Sequence, residues 1–430
     1  MQNKISIFWF RRDLRLEDNT ALHFALKSGN PVLPIFIFDE AIINNLDEND
    51  ARVTFIYETL KEMNAKLNAF GCSIHLYKGK PLDVWEDLVA NYKIASVFFN
   101  KDYEPYAINR DEKINSILAS ENIPVFSYKD HVIFEENEIL KKDNTPYTVY
   151  TPYKNQWLQK FNKEEDTKCY ECTKNRKAFV KVINDFPSIE SLGFIESTIK
   201  VIPYNLTDLA NYDKVRDYPA LNNTSNLSPY LRFGLVSVRQ IVIVALNTNA
   251  TFLSELIWRE FFIQILYHFP KVVTQNFKQK YDRVLWRNNE AEFKKWCQGK
   301  TGYPLVDAGM RELNQTGYMH NRVRMITAGF LCKHLLIDWR WGEAYFAEKL
   351  LDFELASNNG NWQWSAGTGC DSAPYFRIFN PMTQIKRFDK NFDYIKKWVP
   401  EFQELTYPQP MVDHKMARER CLKTYKNALN

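Results

Sequence analysis

Short apolar segments alternate with helical patterns through the first third of this 430-residue chain. Stretches such as 51–70 and 82–92 have helical periodicity and separate the strand-like segments. Strict alternation of this kind predicts a five-stranded parallel sheet with right-handed crossovers. The first strand leads into RRDLRLEDN and lacks G-x-G-x-x-G, so we expect a Rossmann-like shape without the dinucleotide fingerprint. The strand-like segments are Lys4–Phe10, Val32–Asp39, Ser73–Gly79, Ala95–Asn100 and Ile123–Tyr128.

The pattern changes twice further along the chain. From about residue 135 to 203 polar residues and Pro predominate without a sustained period, and KKDNTPYTVYTPYKNQW is interpreted as a turn-rich connector that docks through its tyrosines. After Tyr204 strand patterns nearly vanish and long helical runs follow, at 251–269, 305–316, 321–336 and 343–355. We therefore predict an α/β domain over residues 1–134, a linker over 135–203 and an all-α domain over 204–430.

Charge and cysteine usage narrow the class of protein. The net charge of +4 permits a nucleic-acid partner without demanding one. Seven cysteines are scattered, and only Cys169 and Cys172 form a C-x-x-C, with no second pair and no neighbouring His. We therefore predict no metal site and expect free thiols in a reducing cytosol. No signal peptide and no apolar run long enough to span a membrane are found, so a cytoplasmic protein is expected.

Polar groups embedded in the helical half indicate a cofactor pocket. The stretch 352–381, DFELASNNGNWQWSAGTGCDSAPYFRIFNP, packs acids, amides and indoles densely, which suits the wall of a pocket for a large, flat, polar-edged cofactor. In TFLSELIWREFF, Glu255, Trp258 and Arg259 share one helical stripe while the other faces are apolar. The alternative for this stripe is a Glu255–Arg259 ion pair on a solvated face.

Two further motifs extend this candidate site. In TSNLSPYLRFG, Ser228 before Pro229 is typical of a helix N-cap, and the short donors that precede it indicate a phosphate site, or an ordinary cap as the alternative. In MHNRVRMITAGFL, Asn321, Arg324 and Met325 share a stripe. Arg324 is expected to find acidic partners in Asp352 and Glu354, while Arg322 points elsewhere and could meet a phosphate.

Taken in order, WFRRDLRLEDN, TSNLSPYLRFG, ELIWREFF, TGYPLVDAGMREL, MHNRVRMITAGFL and NNGNWQW…APYFRIFNP resemble the photolyase/cryptochrome family. The resemblance is greatest to bacterial class I photolyases that act on cyclobutane pyrimidine dimers, and it covers nearly the whole chain. It implies a monomeric deoxyribodipyrimidine photo-lyase that binds DNA containing pyrimidine dimers. In that family, photoexcited FADH⁻ passes an electron to the extruded dimer, and the protein supplies position and electrostatics.

The resemblance also implies roles for individual residues. The set expected to act on the lesion and the flavin is Glu255, Trp258, Asn321, Met325 and Asn358. The flavin pocket would comprise Tyr212, Thr224, Ser225, Asn226, Leu227, Ser228, Phe252, Glu255, Arg259, Asn321, Arg324, Asp352, Glu354 and Asn358. The DNA contacts would be Arg216, Glu255, Trp258, Arg322, Met325, Trp364 and Gln384, and the electron-transfer chain would be Trp286, Trp339 and Trp362.

Three positions depart from the family pattern. Asn226 replaces an Arg found in many members, and Glu354 replaces the usual Asp. Tyr106-Ala107 stands where folate-binding members carry Asn-Glu, so any second, antenna chromophore is expected to be a deazaflavin or a flavin rather than a folate. The alternatives for function are a cryptochrome-type blue-light photoreceptor and a (6-4) photolyase. The short segment after FRIFNP and the retention of Glu255, Trp258 and Met325 favour repair of cyclobutane dimers.

Overall fold

A computed structural model describes residues 4–430, and its contacts group the chain into two compact units. The first unit contains residues 4–139, together with Trp157–Tyr204 and Leu227–Asn247. The second contains Leu140–Gln156, Asn205–Asn226 and Thr248–Asn430. Each unit therefore draws on part of the predicted linker, and the domain boundaries after residues 134 and 203 stay a prediction.

The first unit is built on a parallel sheet in the order β3-β2-β1-β4-β5. The predicted five strands and their parallel pairing are confirmed. Every residue of β2 is buried, as expected for a strand covered on both faces by crossover helices. The strands are β1 Ile5–Phe10, β2 Val32–Asp39, β3 His75–Gly79, β4 Ile94–Asn100 and β5 Val125–Tyr128. The intervening helices are α1 Thr20–Leu26, α2 Glu40–Ile43, α3 Ala51–Asn68, α4 Pro81–Asn91 and α5 Pro105–Ser120.

The remainder of residues 4–430 is mostly helical, as predicted. The next helices along the chain are α6 Tyr150–Lys160, α7 Lys163–Asp166, α8 Tyr212–Val215, α9 Ser228–Arg232 and α10 Val238–Thr248. They are followed by α11 Ala250–His268, α12 Glu290–Cys297, α13 Pro304–Thr316, α14 Asn321–Gly329 and α15 Trp339–Lys349. The last four are α16 Leu355–Ala366, α17 Pro381–Phe388, α18 Asp393–Trp398 and α19 His414–Leu429. None of the helices in the described part of the chain has the length and apolar character needed to cross a membrane.

Two predicted helices are interrupted in the structure. The run predicted at 321–336 is α14 followed by a π-helical turn over Phe330–His334, and Leu336 then has a left-handed φ of 51°. The run predicted at 343–355 ends at Lys349, and α16 begins only at Leu355. The Leu351 N–H instead donates to the carbonyl of Gly317 at 2.9 Å. Tertiary hydrogen bonds thus override a helical pattern that is locally continuous.

Glycine allows close packing behind the candidate site at two positions in the second unit. A Cβ on Gly342 of α15 would lie 2.1 Å from Cη2 of Trp362, and a Cβ on Gly360 of α16 would lie 2.2 Å from Cδ1 of Phe262. Both distances are far shorter than van der Waals contact, so α15 and α11 approach α16 at positions without a side chain. This packing holds Trp362 and Phe262 in place.

Candidate functional site

Helix α11 has one half-buried face in an otherwise buried helix. Glu255, Trp258 and Arg259 are half-buried, whereas Leu256 and Ile257 between them are buried. Their spacing of three and four residues places the three side chains on the same side of the helix. The alternative of a Glu255–Arg259 pair is wrong, because each of the two side chains pairs with a different partner. The face therefore carries an indole between two separately neutralised charges.

Glu255 pairs with Arg216, at the end of α8. The Nη1 of Arg216 donates to Oε1 of Glu255, and the Arg216 guanidinium lies 5.3 Å from the ring centroid of Tyr212. The Tyr212 ring in turn meets Phe252 edge to face at 5.2 Å. The Arg216 and Glu255 side chains are 21% and 34% exposed, so solvent partly screens the attraction between them. The pair can therefore open at modest cost.

Arg259 pairs with Glu354 through two hydrogen bonds. Its Nε donates to Oε2 at 3.0 Å and its Nη2 donates to Oε1 at 2.7 Å, while Ser357 Oγ donates to Oε2 at 3.1 Å. The two side chains are only 14% and 6% exposed. The longer side chain of Glu354, relative to Asp, is thus directed to Arg259. The expectation that Glu354 is a partner of Arg324 is wrong for this reason.

Arg324 also makes two hydrogen bonds to one carboxylate, that of Asp352, but from its two terminal nitrogens. Nη1 and Nη2 donate to Oδ1 and Oδ2 at 3.1 and 2.9 Å, and Nε donates to the carbonyl of Met319 at 2.7 Å. Burial acts to lower the pKa of Arg324, but the Asp352 carboxylate raises it above its ordinary value, so the guanidinium keeps its charge. The predicted Arg324–Asp352 pair is confirmed.

The other predicted residues of α14 lie on its outer side. Asn321 is exposed at the start of the helix, and Met325 is half-buried. Arg322 donates from Nη1 to Sδ of Met325 at 3.8 Å and from Nη2 to Oδ1 of Asp217 at 2.7 Å. Both arginines expected to face DNA, Arg216 and Arg322, are therefore paired with a carboxylate in the protein.

The side-chain amide of Asn358 is oriented by Glu343, a residue that the sequence reasoning missed. Asn358 Nδ2 donates to the backbone carbonyl of Glu343 at 3.1 Å and to its Oε1 at 2.9 Å. Both amide protons are thereby used, which leaves the amide oxygen to accept a hydrogen bond from a ligand. Burial raises the pKa of Glu343. The only signal in the sequence was a lone acid in the aromatic helix WRWGEAYF.

The segment Thr224–Ser228, which was predicted to hold a phosphate at a helix N-cap, has a different local structure. Thr224 Oγ1 lies 3.1 Å from the hydroxyl of Tyr318, and Asn226 has a left-handed φ of 51°. Helix α9 is five residues long and begins at Ser228, with Leu227 at the cap position and no side-chain cap, so the predicted Ser228 N-cap is wrong. Leu227 and Ser228 belong to the first unit, whereas Thr224, Ser225 and Asn226 belong to the second. A phosphate site here stays a prediction.

The three predicted electron-transfer tryptophans have separate surroundings. Trp339 is buried and donates from Nε1 to Oδ1 of Asn276 at 2.9 Å. Trp362 is buried and meets Trp296 with its ring at 6.2 Å, and Trp286 meets Tyr425 at 6.0 Å, both edge to face. Within residues 4–430, the ring contacts do not join any two of the three predicted indoles. Trp296 was not anticipated from the sequence.

Trp364 and Gln384 are both half-buried. The guanidinium of Arg377 lies 5.9 Å from the ring centroid of Trp364, and Gln384 lies in α17. Another unanticipated contact involves Trp258, whose indole is stacked on the ring of Tyr150 at a centroid distance of 3.6 Å. The tyrosines of the connector KKDNTPYTVYTPYKNQW were predicted to dock, but the sequence did not indicate which residues they would contact.

The chemistry of these groups fits a large cofactor with a flat body and polar edges. The face of α11 presents a guanidinium, α14 presents a second one, and α16 presents an amide oxygen, each held by a partner in the protein. Metal binding has no comparable support, because no three His, Cys, Asp or Glu side chains in the described chain are grouped to hold an ion.

Burial raises the pKa of Cys172 to about 12, so this thiol stays protonated at neutral pH.

Comparison with known proteins identifies the family. Residues 6–171 match the model described as DNA photolyase, and residues 252–406 match the model described as the FAD binding domain of DNA photolyase. The deoxyribodipyrimidine photo-lyase of Vibrio cholerae is 36% identical, with 98% of this chain and 99% of that protein covered.

Two solved structures have a similar fold. A bacterial class III photolyase from Agrobacterium tumefaciens matches with a TM-score of 0.88 at 32% identity, covering 100% of this chain and 98% of that chain. An archaeal photolyase from Sulfolobus tokodaii, described with two FAD molecules, matches with a TM-score of 0.85 at 35% identity, covering 98% and 99%. Because the family models and a near-full-length relative agree, this chain belongs to the photolyase/cryptochrome family.

Proposed function

We propose that this protein repairs cyclobutane pyrimidine dimers in DNA with light absorbed by bound, reduced FAD. The observation that carries the proposal is the half-buried indole of Trp258, which lies beside Glu255 on the half-buried face of α11. An indole that is accessible beside a hydrogen-bonding group can stack on a base and bond to its edge. Bound FAD would supply the electron that splits the cyclobutane ring, and the side chains would bind and orient the two reactants.

On the DNA side, lesion binding requires an exchange of partners. A hydrogen bond from Glu255 to a thymine carbonyl needs a proton on the carboxyl group, whereas the Glu255 carboxylate here accepts a hydrogen bond from Arg216. We therefore expect Arg216 to leave Glu255 and move to a phosphate when the lesion enters. Arg322 can exchange Asp217 for a phosphate in the same way. Met325 offers an adaptable apolar contact, and Trp364 and Gln384 extend the surface.

On the cofactor side, the paired arginines and Asn358 would form the wall against the flavin. Arg324 and Arg259 are fixed by Asp352 and Glu354, so their remaining surfaces stay in place without loss of entropy on binding. The Asn358 amide oxygen would accept a hydrogen bond from the flavin edge. A neutral amide there tolerates an anionic reduced flavin, which a carboxylate would repel.

Two finer assignments belong to this proposal. A second chromophore, if bound, would be a deazaflavin or a flavin rather than a folate; Tyr106, at a position that is Asn in folate-binding members, donates its hydroxyl to Asp39 Oδ2 at 2.6 Å. Membership of class I is proposed on the sequence motifs, although the Agrobacterium structure with a similar fold is a class III photolyase. The absorption spectrum of the purified protein would identify any second chromophore.

The test is repair itself. The reduced holoprotein is incubated with an oligonucleotide containing one thymine dimer, under blue light and in darkness, and we expect restored thymines only in the light. Repair restricted to (6-4) photoproducts would indicate a (6-4) photolyase. Light-driven flavin reduction without repair of either lesion would indicate a cryptochrome. Protein that cannot be reconstituted with FAD would contradict the whole proposal.

Substitution of Trp258 tests the site directly. Trp258→Ala should weaken binding to dimer-containing DNA by about 1–3 kcal/mol, or about 5- to 150-fold in Kd, which is typical of a lost base–aromatic stack. The matched control is Trp398→Ala, which removes another half-buried indole, in α18. An unchanged Kd for Trp258→Ala, or an equal loss in the control, would remove Trp258 from the site.

A further inference from the structure

One face of the Trp258 indole is already occupied by a residue with no assigned role. The rings of Tyr150 and Trp258 lie 3.6 Å apart between centroids, with 9° between their planes. At this distance and angle the phenol covers the indole face, and no base can stack there. Trp258 is nevertheless half-buried rather than buried, so part of its indole remains accessible, and a base that stacks on it must use the face turned away from Tyr150. The chain itself thus determines which face of Trp258 a base can use.

Tyr150 is fixed to the same helix that carries Trp258. Its hydroxyl donates to the carbonyl of Ser254 at 2.7 Å, and its backbone N–H donates to Oδ2 of Asp371 at 3.1 Å. Residue 254 lies one helical turn before Trp258 on the same face of α11, so the bond from the hydroxyl aligns the phenol along this face. Lys154, one turn further along α6, donates to Ser254 Oγ at 2.6 Å. The contact is therefore anchored at several atoms.

The neighbouring rings restrict Trp258 further. Phe261 meets the indole edge to face at 5.6 Å and also meets Tyr150 at 5.9 Å, while Phe262 lies 5.4 Å from the indole at a tilt of 30°. Phe262 is itself packed against Gly360. A tryptophan side chain that is free to rotate loses rotamer freedom when a base stacks on it. An indole that is already held in place avoids this loss, so the base binds with a smaller entropic cost.

We propose that Tyr150 is a positioning residue for the lesion: it covers one face of Trp258, holds the indole in a single orientation and leaves the other face for an extruded pyrimidine dimer. The inference rests on the proposed function, and it adds to the lesion site a residue that does not belong to α11. Tyr150 touches neither the dimer nor the flavin and acts only through Trp258. Burial raises the pKa of Tyr150, so its hydroxyl remains a donor to Ser254 at all pH values used for assay.

A double-mutant cycle tests this role. Kd for DNA with one thymine dimer is measured for wild type, Tyr150→Leu, Trp258→Ala and the double variant, each as holoprotein. Tyr150→Leu should weaken binding about 2- to 12-fold, the amount expected for one side chain that must be ordered on binding. In the Trp258→Ala background the same substitution should change Kd by less than twofold, because its target is absent. Equal effects in both backgrounds would overturn the proposal.

Two further variants separate positioning from folding. Tyr150→Phe keeps the stacked ring and loses only the bond to Ser254, so its Kd should stay within twofold of the wild type; a loss equal to that of Tyr150→Leu would overturn the role of the ring. Tyr147→Leu, in the same connector but with its ring contact to Tyr153 instead, should bind dimer DNA normally. Repair per flash at saturating DNA should be unchanged in Tyr150→Leu. If wild-type protein does not prefer dimer DNA, the proposed function fails; if it does and the cycle is additive, only this inference fails.

Discussion

Replacement of Arg324 by lysine should separate the structural role of the Arg324–Asp352 pair from its role in binding FAD. Arg324 makes three charge-assisted hydrogen bonds, two to Asp352 and one to the carbonyl of Met319. A lysine ammonium carries its three N–H donors on a single nitrogen and cannot occupy the separate positions of Nε, Nη1 and Nη2, so we count one of the three bonds as retained. Two bonds are then lost, at about 1.5–3 kcal/mol each when buried. Because the Arg324 side chain is 25% exposed and lysine keeps its charge, we expect a net loss of about 2–4 kcal/mol.

The chain offers a matched control in Arg340. This residue donates from Nε and Nη2 to Asp338 at 3.0 and 2.6 Å and from Nη1 to the carbonyl of Thr274 at 3.0 Å, but its side chain is 48% exposed. Exposed pairs contribute at most about 1 kcal/mol, so Arg340→Lys should lower stability by no more than that. Each arginine thus makes two bonds to a carboxylate and one to a backbone carbonyl, and the two variants differ in burial and in proximity to the candidate flavin wall.

The assay has two parts, urea unfolding of each variant and titration of each apoprotein with FAD. Arg324→Lys should raise the Kd for FAD at least about tenfold, equivalent to 1.4 kcal/mol, and Arg340→Lys should leave it unchanged. If Arg324→Lys is no less stable than the Arg340→Lys control, our count of the hydrogen bonds lost on substitution is wrong. If stability falls while the Kd for FAD stays the same, the pair supports the fold and is not part of the flavin wall.

Three other predictions address electron transfer, core polarity and pH. Trp339→Phe should abolish light-driven reduction of bound oxidised FAD and leave repair intact when the flavin is reduced chemically; photoreduction that persists in this variant would show that the chain through Trp339 is misassigned. Asp307 accepts four hydrogen bonds, from Thr301 N, Thr301 Oγ1, Gly302 N and the Tyr407 hydroxyl. Asp307→Asn replaces one acceptor oxygen by a donor and should lower the free energy of unfolding, measured in urea, by about 2–4 kcal/mol. A loss below about 0.5 kcal/mol would contradict this count of hydrogen bonds. Burial lowers the pKa of Lys333 from 10.5 to about 8, so between these pH values the unfolded chain binds the proton and the folded chain does not. The contribution of Lys333 to stability therefore increases as pH rises from about 8 to 10.5 and is lost as pH falls through the same window. Any stability advantage of Lys333→Met over the wild type should accordingly shrink from pH 8 to 10.5. A constant difference would contradict the low pKa.

Much of the architecture was predictable because it depends on local periodicity. The five strands and the long helices α11 and α13 each lie within two residues of the segments that their apolar patterns indicate. The half-buried face of α11 also follows from spacing alone, since residues three and four apart share a side of any α-helix. The Arg324–Asp352 pair was predicted from the polar stretch that follows, which begins with Asp352 and Glu354.

The failures occur where a local pattern had to compete with a distant partner. The predicted helix over 343–355 is broken where the Leu351 N–H donates to the carbonyl of Gly317, and this partner is not encoded in the segment itself. Glu343 could not be connected with Asn358 for a related reason, since they lie in two helices whose packing the sequence does not specify.

The sequence by itself determined the order of strands and helices, the polar stripes and the family, because these depend on spacing and on motifs within single segments. Only the tertiary structure decided which acid neutralises each arginine and which ring covers Trp258. Glu354 lies 95 residues from Arg259, and Ser254 lies 104 residues from Tyr150. Such partners are selected by the packing of the whole helical unit, where each buried charge or donor bonds to the group that the fold brings within reach.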